Sequence, residues 1–330
     1  MKPLLDEWAG KYETERALRL GMADLIENYT CADASLPTSE PLRSERWRYR
    51  PPSKGEEAAR DVRVLLDTPT AKVHVISDFI SPAECEAVEA LAKPKLAAAS
   101  VADDKGGSKF SPNRKAKQAG LGVEWGREGE ASAEGEVARL SRRVFGYANE
   151  HTNFELNVDG QEDIMSIQYE GRGPDDAEPD RYMPHCDGEC NGLPFREGNR
   201  VATMVMYCEV PERGGATNFA KSNLHVVPER GSATFFTYTG TTEPVESWPA
   251  FGQGGELVAA VNDDHFSEHS GCPVLEGEKK IVTQWMRKGV SGETPWDAFD
   301  TQGVKRKRGG GKKKKGVLEG FFGGGEEEEL

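Results

Sequence analysis

The stretch "YMPHCDGEC" at residues 182–190 decides how the rest of the chain is read. Pro184 and Gly188 leave no room for a helix, so the segment is expected to run extended. Side chains of an extended strand alternate between faces, which puts His185 and Asp187 on one face and Cys186 on the other. A neutral imidazole beside a carboxylate suits a divalent metal. Two ligands do not make a site, so the fold must supply a third from elsewhere.

The chain has six histidines, and His269 stands in "HFSEHSGCPVLEGEKKIVTQWM" at 265–286. It follows His185 by 84 positions, so only a closed tertiary fold brings the two together. Two His and one carboxylate on one face of an iron ion leave positions open for a 2-oxo acid and dioxygen, the arrangement of non-haem Fe(II) oxygenases. A 2-oxoglutarate co-substrate also needs a cation for its far carboxylate. Lys279, ten residues beyond His269 at the head of an apolar strand, would supply it. His265 competes with His269 for the third position. Cys186 and Cys190 with His185 would make half of a zinc site, but zinc sites usually show two such pairs and the sequence shows no second.

In chain order come "Y-x-x-H-x-D" (182–187), "G-N-R-x-A-T" (198–203), "G-G-A-T-x-F" (214–219), "V-x-P-x-x-G" (226–231) and "H-x-x-C-P-V-L-x-G-x-K-x-x-x-x-x-W" (269–285). This order resembles the catalytic domain of the prolyl 4-hydroxylase alpha-subunit family of Fe(II)/2-oxoglutarate dioxygenases, over about residues 71–290. The opening "DFISPAECEAVEALAKP" is similar as well. The resemblance implies an α+β, mainly β fold: a double-stranded β-helix (jelly-roll) core with supporting N-terminal helices. It implies His185, Asp187 and His269 as iron ligands, His269 being preferred over His265 by its spacing to Cys272 and Lys279. Lys279 then holds the far carboxylate of 2-oxoglutarate, Tyr169 and Tyr207 stand near the co-substrate, and Trp285 closes the strand on the same face as Lys279. Lys280 stands where many relatives carry Trp. Segment 103–130 lacks the arginine-and-serine pattern of the family's peptide-binding loop.

The bulk composition agrees with such a domain and narrows its partners. Thirty per cent of the 330 residues are charged and 36% are hydrophobic, so part of the length is expected to be solvated tail or loop. A net charge of -14 argues against nucleic acid as partner, which needs a basic face. No apolar run approaches the roughly 20 residues of a transmembrane segment. The six cysteines show no CxxC pair, and Cys208 and Cys272, in apolar strand contexts, read as buried thiols. No leader is seen, so the default compartment is cytoplasmic. A missing leader would make it the endoplasmic reticulum lumen, and the basic run "KRKRGGGKKKK", read as an import signal, the nucleus.

Along the chain, residues 1–70 read as an amphipathic helical segment (1–30) and a Pro- and Ser-rich linker (31–70). Residues 71–290 form the dioxygenase domain, and 291–330 a low-complexity charged tail. Ser81, Pro82 and Glu84 mark a helix start, with Cys85, Val88 and Leu91 facing inward. A mobile loop with little regular structure is expected over 102–135, its 103–130 part serving as a substrate lid. A second helix follows at 136–149, then many short strands. The implied activity is hydroxylation of peptidyl-proline at C4, consuming O2 and 2-oxoglutarate and releasing succinate and CO2, with ascorbate restoring the iron. The same chemistry on another substrate and a non-catalytic metal-binding module are the alternatives.

Overall fold

Ser81 opens a helix as its sequence implies. In the computed structural model its hydroxyl accepts from the Glu84 amide, while the Glu84 carboxylate accepts from the Ser81 amide at 2.8 Å. This capping box starts α1 (Pro82–Ala92), and a 3-10 turn at Lys93–Lys95 ends it where Pro94 denies an amide. Its inward face is Cys85, Val88 and Ala92; Leu91, expected to be buried, is 50% exposed because it falls off the i, i+3, i+7 stripe. The second helix, α2 (Glu136–His151), buries Val137, Leu140, Val144, Phe145 and Ala148, as its periodicity predicts. Buried Glu84 and Arg143 join the two helices at 2.8 Å. The structure describes residues 31, 33–51, 58–102, 108–111, 113–125, 135–173, 175–176, 178–241, 260–299 and 305–306. The helices expected in 1–30 and most of the tail lie outside the described residues.

The strands that carry the argument are β1 (Arg43–Trp47), β2 (Arg60–Asp67), β3 (Lys72–Ile76), β4 (Ala97–Ala98), β5 (Arg114–Lys115), β6 (Lys117–Leu121), β7 (Ile164–Arg172), β8 (Arg181–His185), β9 (Arg200–Glu209), β10 (Arg213–Gly214), β11 (Thr217–Phe219), β12 (Leu224–Val226), β13 (Ala233–Thr237), β14 (His269–Gly271) and β15 (Val274–Arg287). Ten of them make one antiparallel sheet, in the order β1-β2-β3-β13-β9-β15-β7-β6-β4, with β10 added to β15. Five make a smaller sheet, β12-β11-β14-β8-β5. The two sheets enclose a jelly-roll core, and the helices cover the outer face of the larger one.

Period-two alternation sorts the side chains. On β9, Ala202, Met204 and Met206 join the large cluster under the helices, with Leu140, Val144 and Phe145 of α2. Thr203, Val205 and Tyr207 therefore face the smaller sheet. On β15, Val282 and Met286 face the helices, and Lys279, Ile281, Thr283 and Trp285 face the interior between the sheets.

Three expectations need correction. Residues 31–70, read as a linker, supply β1 and β2, which pair through Trp47↔Arg60 and Val64↔His74 into the large sheet. Their charged residues sit on the solvent side of a sheet edge, while Trp47, Val62 and Val64 are buried. Within 102–135, read as a structureless loop, β6 pairs along β7 from Lys117↔Gln168 to Leu121↔Ile164. Residues 103–107, 112 and 126–134 of that stretch lie outside the described residues. Cys208 and Cys272, read as buried thiols, are bridged: Cys85–Cys208, Cys31–Cys272 and Cys186–Cys190 are disulfides. Their partners are 123 and 241 residues away for the first two, so only the folded topology reveals the pairing.

Candidate metal and co-substrate site

Strands β8 and β14 are neighbours, with His185 directly opposite His269 in register. That pairing answers the question posed by the HxD segment. The Nε2 of His185 lies 3.3 Å from Asp187 Oδ1, and the Nε2 of His269 lies 3.8 Å from Asp187 Oδ2. His265 is not part of this group; its ring bonds to Glu268.

Each ring is aimed by its other nitrogen. Nδ1 of His185 meets the Met183 carbonyl at 2.9 Å, and Nδ1 of His269 meets the Ser267 carbonyl at 3.0 Å. With Nδ1 donating, both Nε2 lone pairs face Asp187, the arrangement that a carbonyl behind the ring imposes on a metal-ligating imidazole. The Thr203 hydroxyl donates to Asp187 Oδ2 at 2.8 Å. Arg200 donates to the Asp187 carbonyl at 3.0 Å. Gly188 allows this close approach: a Cβ there would stand 2.2 Å from the Tyr238 ring and 2.9 Å from the Arg200 carbonyl.

The electrostatics suit a cation. Burial pushes the Asp187 carboxyl up, but the facing His185 and His269 rings and the Arg200 guanidinium outweigh it, holding it far below the usual range. Burial, with the neighbouring His185, pulls His269 down to about 4, so it stands as a neutral ligand at pH 7. A metal with bonds of about 2.1 Å holds adjacent ligand atoms roughly 3 Å apart, close to the spacing present. The residues fit a three-ligand facial site.

These side chains line one end of a cleft of about 450 Å³, its open mouth included. Lys279 lies within it, 3% exposed, and its ammonium donates to the Gly215 carbonyl at 2.6 Å. Burial alone lowers it to about 8. Tyr169 stands opposite Lys279 in register and lines the cleft, its ring centre 5.5 Å from the ammonium. Tyr207 is also close, at 5.8 Å, but its hydroxyl is committed to Thr234 at 2.9 Å and it lies behind the wall rather than in it. Trp285 and Thr283 complete the Lys279 face. The buried Trp285 Nε1 and Thr283 Oγ1 have no hydrogen-bond partner among the described residues. A buried cation, an orphaned hydroxyl and an orphaned indole on one wall fit a dicarboxylic acid better than they fit an empty core.

Sequence reasoning missed several members. Arg114 reaches the cleft from β5, inside the segment read as a loop, with its guanidinium 4.7 Å from the Tyr182 ring centre. Tyr182 itself stacks on His185 at 3.5 Å between centroids. Thr203 and Arg200 belong to the quoted G-N-R-x-A-T motif, which carried their signal without revealing their work. Arg200 also packs its guanidinium 4.0 Å over Trp285 and pairs with buried Glu162 at 2.6 Å.

Residues 175–287 match the model of the 2OG-Fe(II) oxygenase superfamily. The chain is 30% identical over 220 residues to prolyl 4-hydroxylase subunit alpha-1 of Rattus norvegicus, covering 64% of this chain and 33% of that protein. It is 27% identical over 239 residues to probable prolyl 4-hydroxylase 3 of Arabidopsis thaliana, covering 71% and 75%. The chain thus spans about a third of the animal subunits it matches. Among solved structures, a viral collagen prolyl hydroxylase from Paramecium Bursaria Chlorella virus-1, in complex with 2OG, aligns at a TM-score of 0.43 and 21% identity, covering 66% of this chain and 95% of that one.

Proposed function

From the match of residues 175–287 to the 2OG-Fe(II) oxygenase superfamily model and the geometry of the site, we propose that the chain is an Fe(II)- and 2-oxoglutarate-dependent dioxygenase that hydroxylates peptidyl-proline at C4. The observation that carries the reading is the meeting of His185, Asp187 and His269 at one end of a cleft whose wall holds the buried ammonium of Lys279. Iron with 2-oxoglutarate and O2 supplies the power to hydroxylate an unactivated C–H bond, releasing succinate and CO2.

The protein's part is ligation, orientation and exclusion of water. His185, Asp187 and His269 hold the ion, with their aim fixed by the Met183 and Ser267 carbonyls and by Thr203. Lys279 takes the far carboxylate of the co-substrate, Thr283 and Trp285 are free to donate beside it, and Tyr169 walls it from β7. Tyr207 holds the wall from behind through Thr234. Arg114 and Tyr182 line the same cleft, the guanidinium over the ring, and we assign this pair to the peptide. Ascorbate would return oxidised iron to Fe(II).

The three disulfides favour an oxidising compartment, such as the endoplasmic reticulum lumen, over the cytoplasm or nucleus. No helix among the described residues is long and apolar enough to cross a membrane.

The test is purified protein with Fe(II), labelled 2-oxoglutarate and a panel of proline-rich peptides, read by mass spectrometry. Succinate and singly oxygenated peptide in equal amounts are expected, with the oxygen on proline C4. Stoichiometric oxygenation of another residue would move the substrate assignment. Iron binding without turnover of any kind would make the domain a binding module.

A further inference from the structure

The sequence offers Cys186 and Cys190 as half of a zinc site with no visible second half; the fold supplies one. Cys186, Cys190, His265 and Glu268 bring one ligand atom each to within 4.8 Å of one another. They form a group separate from His185, Asp187 and His269. Its four members come from two loops, 186–191 and 263–268, that the backbone clamps together. The His265 amide donates to the Cys190 carbonyl at 3.1 Å, the Gly192 amide donates to the Asp263 carbonyl at 2.9 Å, and Asn191 and Asp264 form an antiparallel bridge.

The placement of His265 is unusual for a surface imidazole. Its φ is +63°, left-handed backbone that a non-glycine residue adopts at a cost and keeps where its surroundings hold it. That conformation lays Nδ1 3.7 Å from Cys190 Sγ and 2.8 Å from Glu268 Oε2. A tetrahedral zinc with bonds of about 2.3 Å to sulfur and about 2.0 Å to nitrogen keeps those two atoms roughly 3.5 Å apart. Cys190 is 6% exposed, whereas the side chains of His265 and Glu268 are 35% and 22% exposed, so an ion has an entry path.

We propose that Cys186 and Cys190 alternate between a disulfide and a closed zinc site, in which their thiolates, His265 and Glu268 hold one Zn²⁺. The structure holds the oxidised member of the pair. Reduction needs a dithiol, which gives two electrons and two protons to the Cys186–Cys190 bond and is itself closed to a disulfide. The two thiols then lose their protons as Zn²⁺ binds. The return runs by the reverse exchange, in which a disulfide takes two electrons and two protons, is opened to a dithiol, and Zn²⁺ is released. Two thiolates, one carboxylate and a neutral imidazole satisfy a structural zinc, leaving no position open for chemistry. The sequence ties this site to the other one. Cys186 lies between His185 and Asp187, and Glu268 precedes His269, so the bond closes the loop that follows His185, whereas the ion joins that loop to the segment that precedes His269. The inference does not depend on which reaction the triad performs.

The test uses the full chain, reduced anaerobically with dithiothreitol, stripped of metal and titrated with Co²⁺ as the spectroscopic probe. A thiolate-to-cobalt charge-transfer band and tetrahedral d–d bands are expected at one equivalent. They should be displaced by Zn²⁺, absent from oxidised protein, lost in Cys190→Ser, and retained in Asp187→Ala. A reduced, folded chain without the thiolate band overturns the proposal, as does a band that survives Cys190→Ser. Because reduction also opens the other two disulfides, a second measurement needs no reduction step. Protein made in a reducing cytoplasm with added Zn²⁺ is alkylated before and after chelation, and peptides are read by mass spectrometry. Cys186 and Cys190 should be protected until the chelator is added; equal labelling before and after overturns the site.

Discussion

Replacing Lys279 separates what a buried cation costs the fold from what it does for the ligand. The ammonium is buried, donates to one carbonyl and has no carboxylate partner among the described residues, and burial holds it at about 8 against an ordinary 10.5. Keeping it charged therefore costs the unliganded protein roughly 3 kcal/mol at pH 7. The folded chain releases this proton at lower pH than the unfolded chain does. Stability of the free protein should thus rise as pH climbs from about 8 towards 10.5. Ligand binding runs the other way, because only the protonated amine meets a carboxylate, so 2-oxoglutarate affinity should fall above about pH 8.

Lys279→Met should accordingly stabilise the unliganded protein, flatten its alkaline rise, and weaken 2-oxoglutarate by about 10- to 150-fold, the worth of a charge-assisted hydrogen bond of roughly 1.5–3 kcal/mol. The comparison is Lys280→Ala. Lys280 points to the other face, pairing with Glu278 at 3.2 Å and Glu89 at 3.7 Å, and an exposed pair is worth at most about 1 kcal/mol. Anaerobic calorimetric titration of 2-oxoglutarate into iron-loaded variants, beside denaturant melts of the unliganded forms, reads both effects. A Lys279→Met protein that binds 2-oxoglutarate within twofold of the parent, or a larger loss in Lys280→Ala, would refute the assignment of this cation.

How much of this was legible beforehand depends on the range of each interaction. The Ser81–Glu84 capping box and the buried stripe of α2 were readable because they are satisfied within one turn of their own sequence. That His185 shares a face with Asp187, and Lys279 with Trp285, was readable because strand alternation ties residues an even number apart. Pairing His185 with His269 rested on ordered motifs, since no local rule joins residues 84 apart. What escaped is what only tertiary partners decide. The strands β1 and β2 are edge strands whose outward charges looked like a linker's composition. β6 is a strand because β7 offers it a ladder, and Arg114 enters the cleft only because β5 pairs with β8. The disulfides joining residues 85 to 208 and 31 to 272 left no spacing to read. The tyrosines divide on the same ground: Tyr169 faces the cleft and Tyr207 meets Thr234, which sequence alone does not distinguish.

Further outcomes follow from other parts of the structure. Arg114→Ala should raise the peptide KM well above any change in the 2-oxoglutarate KM; equal changes would place Arg114 in the wall rather than at the peptide side. Replacing Cys85 and Cys208 together by Ser should cost about 2–5 kcal/mol in denaturant melts, because the bridge closes a loop of more than a hundred residues; a smaller loss would mean that packing alone holds α1 on β9. The last concerns Glu162, buried between Arg200 and Arg287 at 2.6 Å from each. Burial alone would push its carboxyl up, but the two guanidiniums outweigh that and hold it at about 2. A carboxyl depressed in the folded state contributes stability that is complete above its ordinary 4.5 and is lost as pH falls towards about 2. Glu162→Gln removes that dependence and leaves the buried Arg287 guanidinium and the half-buried Arg200 guanidinium without their counter-charge, which costs about 3–5 kcal/mol at pH 7. The damage should also reach the site, because Arg200 donates to the Asp187 carbonyl and packs on Trp285. Metal affinity in the variant is therefore expected to drop in the still-folded protein, measured by Fe(II) or Mn(II) titration. Unchanged metal affinity alongside lost acid stability would confine Glu162 to the fold and remove Arg200 from the positioning of Asp187.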